Sequence, residues 1–479
     1  MTPQAAFEQL NRIAGIAPLA MPQFEGGEAV VPSPFRAATA AASSLGLAAS
    51  AAAEIWRFRG GDRQTVEIGL AAAAASLNSR GLVRHAGAPL PAPAGPATGF
   101  YQCGDGRWIY LHGGLPHLAK GTLDLLNAGN DAESVMEGVA KWSSFALEDA
   151  LAYVQLTGAV ARSEEEWRSG VPARVIGAPI VLKKVGQAPP VRLREAATPL
   201  GGLRVLDLTR VIAGPACGRI LASHGAEVLA VRTERAAWRR DLEFDQAAGK
   251  RQTLLDLARP ADAEALRRLA RGADIFVDSC RPGALAGLGF SPASLAHIAP
   301  GMIYVSISAY GLEGPWAGRR GWEEVTQAAT GLAMEQGAFM AGRRKHRREA
   351  LPEIVPAAVC DVVTGQLAAA GALAAVVRRI REGGSWLVQV SLAATAMWLQ
   401  SLGRIEAAAV PEAWDARHGM DPYLRSCETR DGRFELLGPV VRMSKTPPLF
   451  ASPPDRFDPP QWASAHEDAN APEVQSAQA

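Results

Sequence analysis

Between residues 203 and 308, short apolar runs alternate with longer segments whose apolar residues recur every three or four positions. Runs of the first kind favour buried β-strands, and segments of the second kind favour amphipathic helices. The pattern predicts strands at residues 205–208, 227–231, 274–278 and 302–308, with helices at 216–224, 262–271 and 292–298. Strands that alternate with helices are typical of a parallel sheet joined by right-handed crossovers.

An internal repeat flanks this alternating region. Residues 51–77 and residues 374–399 each run from an Ala-rich helix through a Gly-Gly turn into an alternating strand and a second Ala-rich helix. An Asp-Gly pair follows each copy, at residues 105–106 and 431–432, and Asp-Gly is typical of a hairpin turn. Two copies are too few for a solenoid. The repeat therefore predicts a duplicated unit, with chance similarity of Ala-rich segments as the alternative.

These patterns divide the chain into six parts. We predict a helix-rich segment at 1–100 that repeats 363–404, a small α/β portion at 101–192, a linker at 193–200, a Rossmann-like domain at 201–404, the start of a second small domain at 405–445, and a tail at 446–479. Within the small portion, Ser143 is expected to begin a helix, and Ser163 with Glu166 has the spacing of a capping box. Residues 175–191 are expected to be an extended exit. The tail is rich in Pro, Ala, Asp and Ser, so we expect it to be extended or disordered.

Composition narrows the class of protein. A chain of 479 residues with 48% hydrophobic and 20% charged residues predicts a globular protein with a large core. The net charge of +1 gives no field that would favour nucleic acid or a membrane as a partner. The five cysteines lack CxxC spacing, which argues against a disulfide framework or a metal site and favours the cytoplasm. We expect neither a signal peptide nor a bilayer span.

Two features at predicted strand ends suggest a site for an anion. Gly214-Pro215 lies between a strand and a helix, where free N–H groups and the helix dipole favour phosphate, although a plain tight turn is the alternative. Arginine and lysine crowd the segments after the next strands, where open α/β sheets bind ligands, although a solvated helix face is the alternative. These cations are Arg232, Arg235, Arg239, Arg240, Lys250, Arg251 and Arg281.

A pair of acids gives the candidate for covalent chemistry. Glu323 and Glu324 follow Trp322, and a carboxylate can act as a nucleophile on an activated carbonyl. Two exposed acids at a helix N-terminus are the alternative. Asp361 opens an Ala-rich helix and is expected to be an N-cap or a supporting acid.

Other reactive residues have simpler interpretations. Cys217 and His224 share a predicted helix and are interpreted as packing residues rather than a nucleophile pair. The basic run at residues 343–348 is interpreted as solvated charge, with a lid or a contact to an acidic substrate as the alternative.

Together these residues resemble the class III CoA-transferases, the CaiB/BaiF family that includes formyl-CoA transferase, carnitine CoA-transferase and α-methylacyl-CoA racemase. The resemblance is strong over residues 200–404, and residues 101–190 resemble the family's C-terminal portion, which here precedes the CoA-binding portion. The chain is therefore interpreted as a rearranged double copy with one CoA site. The matching segments are 202–209, 213–215, 221–228, 250–251, 255–257, 281–283, 311–315, 321–323 and 327–328.

The resemblance implies a fold, a cofactor and a mechanism. It implies a Rossmann-like CoA-binding domain with a smaller α+β domain, in an interlocked homodimer that takes acyl-CoA and a carboxylic acid as substrates. The family nucleophile is an Asp two residues after a Gly and four before a Gln, a position that Glu323 holds between Gly321 and Gln327. The longer Glu displaces the carboxylate by roughly an ångström, which can cost about a hundredfold in rate. Trp322 stands where the racemase has a His, so racemisation is not expected.

By the same resemblance, the adenosine and phosphate groups of CoA would meet one set of residues. The set is Val211, Ala213, Gly214, Pro215, Arg232, Lys250, Arg251 and Arg281. Three functions remain open from the sequence: a CoA-transferase that uses Glu323, a CoA-thioester-binding protein without transferase activity, and a lyase or hydrolase of a CoA ester.

Overall fold

The computed structural model describes residues 1–16, 20–91, 95–233, 244–344, 350–454 and 456–463. Arg235, Arg239 and Arg240, most of the basic run at 343–348, and residues 464–479 of the tail lie outside the described residues. The strands are β1 (Gln23–Glu25), β2 (Val66–Gly69), β3 (Arg84–His85), β4 (Ala88–Pro89), β5 (Thr98–Gln102), β6 (Trp108–His112), β7 (Gly158–Val160), β8 (Val181–Gly186), β9 (Arg204–Asp207), β10 (Glu227–Arg232), β11 (Arg251–Leu254), β12 (Ile275–Asp278), β13 (Ile303–Ser308), β14 (Ser385–Ser391), β15 (Leu424–Thr429), β16 (Gly432–Leu437) and β17 (Val441–Met443). The helices are α1 (Pro3–Ala14), α2 (Ala37–Phe58), α3 (Leu70–Ser76), α4 (Ser79–Leu82), α5 (Pro116–Leu126), α6 (Ala132–Ala140), α7 (Ser144–Tyr153), α8 (Glu164–Ser169), α9 (Val171–Arg174), α10 (Ala213–Ser223), α11 (Pro260–Arg271), α12 (Pro292–Ile298), α13 (Glu323–Thr330), α14 (Leu332–Arg343), α15 (Asp361–Glu382) and α16 (Leu392–Ser401).

A seven-stranded sheet organises the larger half of the molecule. Its strand order is β11-β10-β9-β12-β13-β14-β8, and every neighbouring pair except β14–β8 is parallel. The predicted mixed α/β fold with a parallel sheet is therefore confirmed. The chain moves from β9 outward to β10 and β11, then returns to the other side of β9 at β12. The direction of the strand order thus reverses between β9 and β12, and ligands bind at such a point in open α/β sheets.

Helices cover both faces of this sheet. On one face, alternate strand residues such as Val205 and Val277 pack with α2, α10 and α15 in one apolar cluster. On the other face, Leu206 and Phe276 pack with α11 and α12. The Ala-rich composition of α2 and α15 suits this arrangement, because small side chains let two long buried helices approach closely.

The two copies of the repeat fold alike but pair differently. Each has a long Ala-rich helix, a Gly-Gly turn, a strand and a short helix: α2, β2 and α3 in the first, α15, β14 and α16 in the second. Yet β14 joins the parallel sheet, whereas β2 lies between β1 and β17 in a separate three-stranded sheet. Both Asp-Gly pairs lie at antiparallel hairpins, β5–β6 and β15–β16, as predicted.

Two expectations need correction or refinement, and a third is confirmed. The predicted exit segment forms β8, which pairs antiparallel with β14 and adds an edge to the large sheet. Ser143 begins α7, but its side chain does not cap the helix; the Asp105 carboxylate accepts from the Ser144 N–H at 2.8 Å instead. The capping box of Ser163 and Glu166 is present in full.

The described part of the tail is extended, but it is packed on the large domain. The Trp462 indole N–H donates to the Leu269 carbonyl at 3.2 Å, and the Arg204 guanidinium lies 5.2 Å from the Trp462 ring centre. The Asp458 carboxylate lies 2.9 Å from Arg251. The Trp462 ring and the Asp458 ion pair therefore hold this part of the tail on the large domain, although its composition alone predicts disorder.

Candidate active site

A cavity of about 210 Å³ lies at the carboxyl ends of β9, β12 and β13. Residues 210–214 follow β9, residues 279–282 follow β12, and residues 307–309 lie at the end of β13. The segments at the ends of these three strands therefore line the cavity together. Residues 317 and 319–322, with Asp361 and Leu392, form the rest of the lining. The cavity therefore lies at the point where the strand order reverses.

A buried ion pair supports the turn after β9. The Lys250 ammonium donates to the Asp207 carboxylate at 2.7 Å and to the Pro215 carbonyl at 2.8 Å, and both side chains are fully buried. The charges of Lys250 and Arg232 hold the pKa of Asp207 below its usual range against the opposing effect of burial. The Arg232 guanidinium also donates to the Thr209 carbonyl at 2.9 Å. These cations therefore hold the turn from within and lie behind the cavity wall.

The turn itself is tightly constrained. Val211 has φ of +69°, a left-handed conformation that is costly for a β-branched residue. A Cβ on Gly214 would come within 2.1 Å of the Thr209 side chain. The start of α10 can therefore pack over Thr209 only with glycine at this position, and the backbone of residues 211–214 forms the cavity wall.

Four arginines line the cavity: Arg210, Arg281, Arg319 and Arg320. The Arg281 guanidinium donates to the Gln155 side-chain oxygen, and Arg319 pairs with Asp149 at 2.6 Å. Among the described residues, the buried Nε of Arg320 has no hydrogen-bond partner. Burial, and then the charge of Arg281, lowers the pKa of Arg320. Two crowded guanidinium groups at one cavity wall favour an anionic ligand.

The structure brings together only part of the predicted binding set. Val211, Ala213, Gly214 and Arg281 line the cavity. Arg232, Lys250 and Pro215 are buried behind it. Arg251 begins β11, so it lies at the opposite edge of the sheet, paired with Glu227 at 3.1 Å and with Asp458.

Sequence reasoning missed Arg210, Arg319 and Arg320. The available signal was their position: Arg210 follows the first strand of the sheet, and Arg319 and Arg320 immediately precede Gly321. The unused pair of Cys217 and His224 is buried, and burial lowers the pKa of His224 to about 4 and raises the pKa of the Cys217 thiol. This agrees with a packing role.

Glu323 is buried, and its carboxylate lies at the N-terminus of α15. The backbone N–H of Cys360 donates to both carboxylate oxygens, at 3.0 and 2.9 Å, and the N–H of Asp361 donates to Oε2 at 2.5 Å. The Gln327 amide donates to Oε1 at 2.7 Å. Burial raises the pKa of Glu323 to about 7, while these hydrogen bonds oppose the rise. The alternative of two exposed acids is therefore wrong for Glu323.

The Glu323 carboxylate does not form part of the cavity wall. Asp361 lies in that wall instead, and among the described residues its carboxyl has no hydrogen-bond partner. Burial, and then the charges of Glu323 and Glu324, raises the pKa of Asp361 well above its usual value. The extra methylene of Glu323 gives a physical reason: it carries the carboxylate past the wall and into the helix N-terminus, whose dipole favours an anion.

The residues before Glu323 fix the position of α13. A Cβ on Gly321 would lie 2.3 Å from the Ala309 Cβ, so this position requires glycine for close packing against the end of β13. Trp322 stacks on His112 of β6 with ring centres 4.4 Å apart. Burial lowers the pKa of His112 to about 4, so this ring is neutral at physiological pH. The small α/β portion thereby supports the cavity wall.

Two further features of the described residues bear on metals and membranes. Within the described ranges, no group of three or more His, Cys, Asp or Glu residues is arranged to hold a metal ion. One described helix, α15, is long and apolar enough to cross a membrane by length and composition, and 94% of its most apolar window is buried inside the fold.

Comparison with known proteins adds to this geometry. The family model for CoA-transferase family III matches residues 200–455. An acyl-CoA transferase of Gibberella moniliformis is 32% identical over 326 residues, which cover 62% of this chain and 55% of that protein. The acetyl-coenzyme A transferase nodX of Hypoxylon pulicicidum is 30% identical, covering 63% of this chain and 54% of that protein. The chain thus spans about half the length of these relatives.

Solved structures give weaker overall matches. The crystal structure of Rv3272 from Mycobacterium tuberculosis is 31% identical with a TM-score of 0.39, covering 43% of this chain and 57% of that one. A CaiB/BaiF family protein from Brucella suis is 27% identical with a TM-score of 0.37, covering 49% and 65%.

The parallel strands of the large sheet, the four cavity arginines and the buried carboxyl pair all lie within the matched residues. Because the family model matches more than half of its residues, this chain belongs to CoA-transferase family III.

Proposed function

We propose that this chain transfers CoA from an acyl-CoA to a carboxylic acid, with Glu323 as the attacking carboxylate. The observation that carries the proposal is a pair of buried carboxyls beside a cavity lined by four arginines: Asp361 lies in the cavity wall, and the Glu323 carboxylate accepts from the Asp361 N–H behind it. A negatively charged thioester ligand and a carboxylate nucleophile would thereby meet at one place. The relatives are named as an acyl-CoA transferase and an acetyl-coenzyme A transferase, which supports this class of reaction.

The reaction proceeds through two kinds of enzyme-bound intermediate. A Glu323 oxygen attacks the thioester carbonyl, the C–S bond breaks, and a mixed anhydride forms while CoA leaves as the thiolate. The thiolate then attacks the glutamyl carbonyl, which releases the first carboxylic acid and leaves a glutamyl-CoA thioester. The acceptor carboxylate attacks that thioester, which expels the thiolate and forms a second mixed anhydride with Glu323. The thiolate then attacks the acceptor's carbonyl carbon in this anhydride, which forms the new acyl-CoA and releases the Glu323 carboxylate. Glu323 reaches the cavity in the first step by rotating its side chain out of the α15 N-terminus.

The cavity residues have separate roles in binding. The backbone of residues 211–214 and the guanidinium groups of Arg281 and Arg320 contact the phosphate groups of CoA. Lys250 and Arg232 position the turn without touching the ligand, because both lie behind the wall. Arg251 has no part in this cavity, since it begins a strand at the other edge of the sheet.

Replacing Arg320 with glutamine is expected to weaken the binding of desulfo-CoA by about 10- to 100-fold, since charge-assisted hydrogen bonds contribute about 1.5–3 kcal/mol. Isothermal titration calorimetry at two salt concentrations measures the effect and its electrostatic part. Arg259→Gln is the matched control, because that side chain is 66% exposed and pairs with Asp256 on the surface. Equal affinities for both variants would place the phosphates elsewhere.

We further propose that the protein acts in the cytoplasm as a homodimer, without a resident metal. The five cysteines are free thiols, which fits a reducing compartment.

A second candidate function is CoA-ester binding without transfer. It is favoured by the Glu323 carboxylate, which is saturated with hydrogen bonds and turned away from the cavity.

The two candidates separate in one experiment. The protein is incubated with acetyl-CoA, succinyl-CoA or a longer acyl-CoA and a panel of carboxylic acids, and new acyl-CoA products are measured by mass spectrometry. Hydroxylamine added during turnover should convert residue 323 to a hydroxamate that peptide mapping detects. Desulfo-CoA binding with neither new thioesters nor label at residue 323 would favour the binding protein. Free acid and thiol without an acceptor would indicate hydrolysis.

A further inference from the structure

A second carboxyl group, that of Asp361, lies in the cavity wall, whereas the Glu323 carboxylate does not. Asp361 is the first residue of α15 and forms part of the cavity wall, 6% exposed, beside Trp322 and the carboxyl end of β13. The Glu323 carboxylate occupies the N–H groups at this helix end, so the Asp361 carboxyl is left without a hydrogen-bond partner among the described residues. A buried polar group that faces a cavity without a partner suggests contact with a ligand.

Charge is divided unequally between the two acids. Glu323 receives three backbone hydrogen bonds and one from the Gln327 amide, all from donors that favour an anion. Asp361 receives none of these and lies next to that anion, with Glu324 as a second acid on α13. In the resting enzyme above pH 7, Glu323 is therefore ionised and the proton of the pair resides on Asp361.

We infer that Asp361 is a further catalytic residue of this site: its neutral carboxyl protonates the CoA thiolate that leaves when Glu323 is acylated, and takes the proton back when the thiol attacks the acylated Glu323. This inference rests on the proposed function. In the forward step the C–O bond to Glu323 forms, the C–S bond breaks, and the Asp361 proton moves to sulfur. In the return step Asp361 removes that proton as sulfur attacks, so protons and charges balance over the cycle.

The electrostatics change in the direction that this role requires. Acylation converts the Glu323 anion into a neutral anhydride, which removes the charge that most disfavours an ionised Asp361 after burial itself. Asp361 therefore becomes a stronger acid at the moment when the thiolate forms. Arg210, Arg281, Arg319 and Arg320 line the same cavity as Asp361, and positive charge in a cavity favours the ionised form of a carboxyl there. Release of Glu323 reverses the change and returns the proton to Asp361.

A single-turnover experiment with the full chain tests this role. Acyl-CoA is mixed with excess enzyme, and thiol release is followed with and without D₂O as solvent. Asp361→Asn should slow thiol release about 100-fold or more, as is typical for the loss of a general acid, and should abolish the solvent isotope effect and the high-pH decline that we expect of the wild type. Asp361→Glu should restore part of the rate. Glu313→Gln, the same chemical change on an exposed side chain, should behave as wild type.

The outcomes separate this inference from the function on which it rests. If Asp361→Asn releases thiol at the wild-type rate, or slows it with the isotope effect and pH profile unchanged, Asp361 is structural and the inference falls while CoA transfer stands. Melting temperature and desulfo-CoA affinity distinguish a misfolded variant, and Asp361→Glu then supplies the pH profile. Wild-type thiol release without transfer to any acid removes the transferase proposal but retains the acid role. A wild type that releases no thiol overturns both.

Discussion

Replacing Glu323 with glutamine is expected to lower the rate of CoA exchange by roughly 10⁴-fold or more, the scale seen when a covalent nucleophile is removed. The amide has nearly the shape of the carboxyl but cannot form an anhydride. It also keeps an oxygen that can accept from the N–H groups of Cys360 and Asp361. Desulfo-CoA binding should therefore stay close to the wild-type value, so the loss belongs to the chemical step.

Glu323→Asp is the matched variant for this test. The shorter side chain withdraws the carboxylate from the α15 N-terminus toward the cavity wall, so exchange should persist at or above the wild-type rate. Initial rates with a fixed acyl-CoA and acceptor, measured for the three proteins, give the comparison. Exchange that is unchanged in Glu323→Gln would remove Glu323 from the mechanism.

Glu323→Gln should also change how the stability of the protein depends on pH, and this effect does not depend on activity. The pKa of Glu323 is about 7 in the folded protein against 4.5 for an ordinary Glu, because burial disfavours its charge. The folded state therefore holds a proton that the unfolded state releases above pH 4.5. The resulting stabilisation is complete below that pH and is lost as the pH rises through 7, on the order of 3 kcal/mol. Urea unfolding between pH 4.5 and 8 should show a flatter profile for Glu323→Gln.

Replacing Lys250 with methionine is expected to destabilise the protein by about 3–5 kcal/mol, because the change leaves the fully buried Asp207 carboxylate without its ammonium partner. The destabilisation caused by Lys250→Met should exceed the net contribution of the Asp207–Lys250 ion pair to the free energy of unfolding. Accordingly, the double variant Asp207→Asn with Lys250→Met should unfold less easily than the single one, because it buries no unpaired anion.

Chemical denaturation of the wild type, both single variants and the double variant measures the coupling. Lys183→Met serves as the control, since that side chain is exposed on β8. A single-variant loss below about 1 kcal/mol, the range of surface pairs, would mean that the pair is hydrated in solution. Loosening of residues 209–215 should accompany the loss and weaken CoA binding, although Lys250 does not touch the cavity.

The strands and helices of the large sheet could be predicted from the sequence, because each depends on the local pattern of apolar and polar residues. The apolar run at residues 205–208 and the periodic segment at 262–271 differ from the observed β9 and α11 by one or two residues at an end. The pairing of β8 with β14 was not accessible, since nothing local in residues 181–186 specifies a partner some two hundred positions away. The different sheets that β2 and β14 join are likewise decided by tertiary context.

The candidate site shows the same division. Motif spacing singles out Glu323 and the turn at residues 211–215, which lie beside one cavity in the structure; their catalytic and binding roles stay predictions. Lys250 and Arg251 are neighbours in sequence, yet one is buried against Asp207 and the other lies on the far edge, which follows from strand register rather than residue type. The Glu323 carboxylate is bonded to the N-terminus of α15 while Asp361 lies in the cavity wall, and this follows from tertiary packing that no pattern of residue types reveals.

The packed tail affects whether the edge strand β11 can pair with a strand of another molecule. β11 is the outermost parallel strand, and a row of free N–H and C=O groups on such a border invites a strand from another molecule. Here the Asp458 N–H donates to the Gln252 carbonyl at 2.6 Å, and the Gly249 N–H donates to the Ser452 carbonyl. Residues 449–454 and 456–463 thus cover the border at β11 against pairing with a strand of another molecule, and a chain shortened before them would be prone to aggregate through β11.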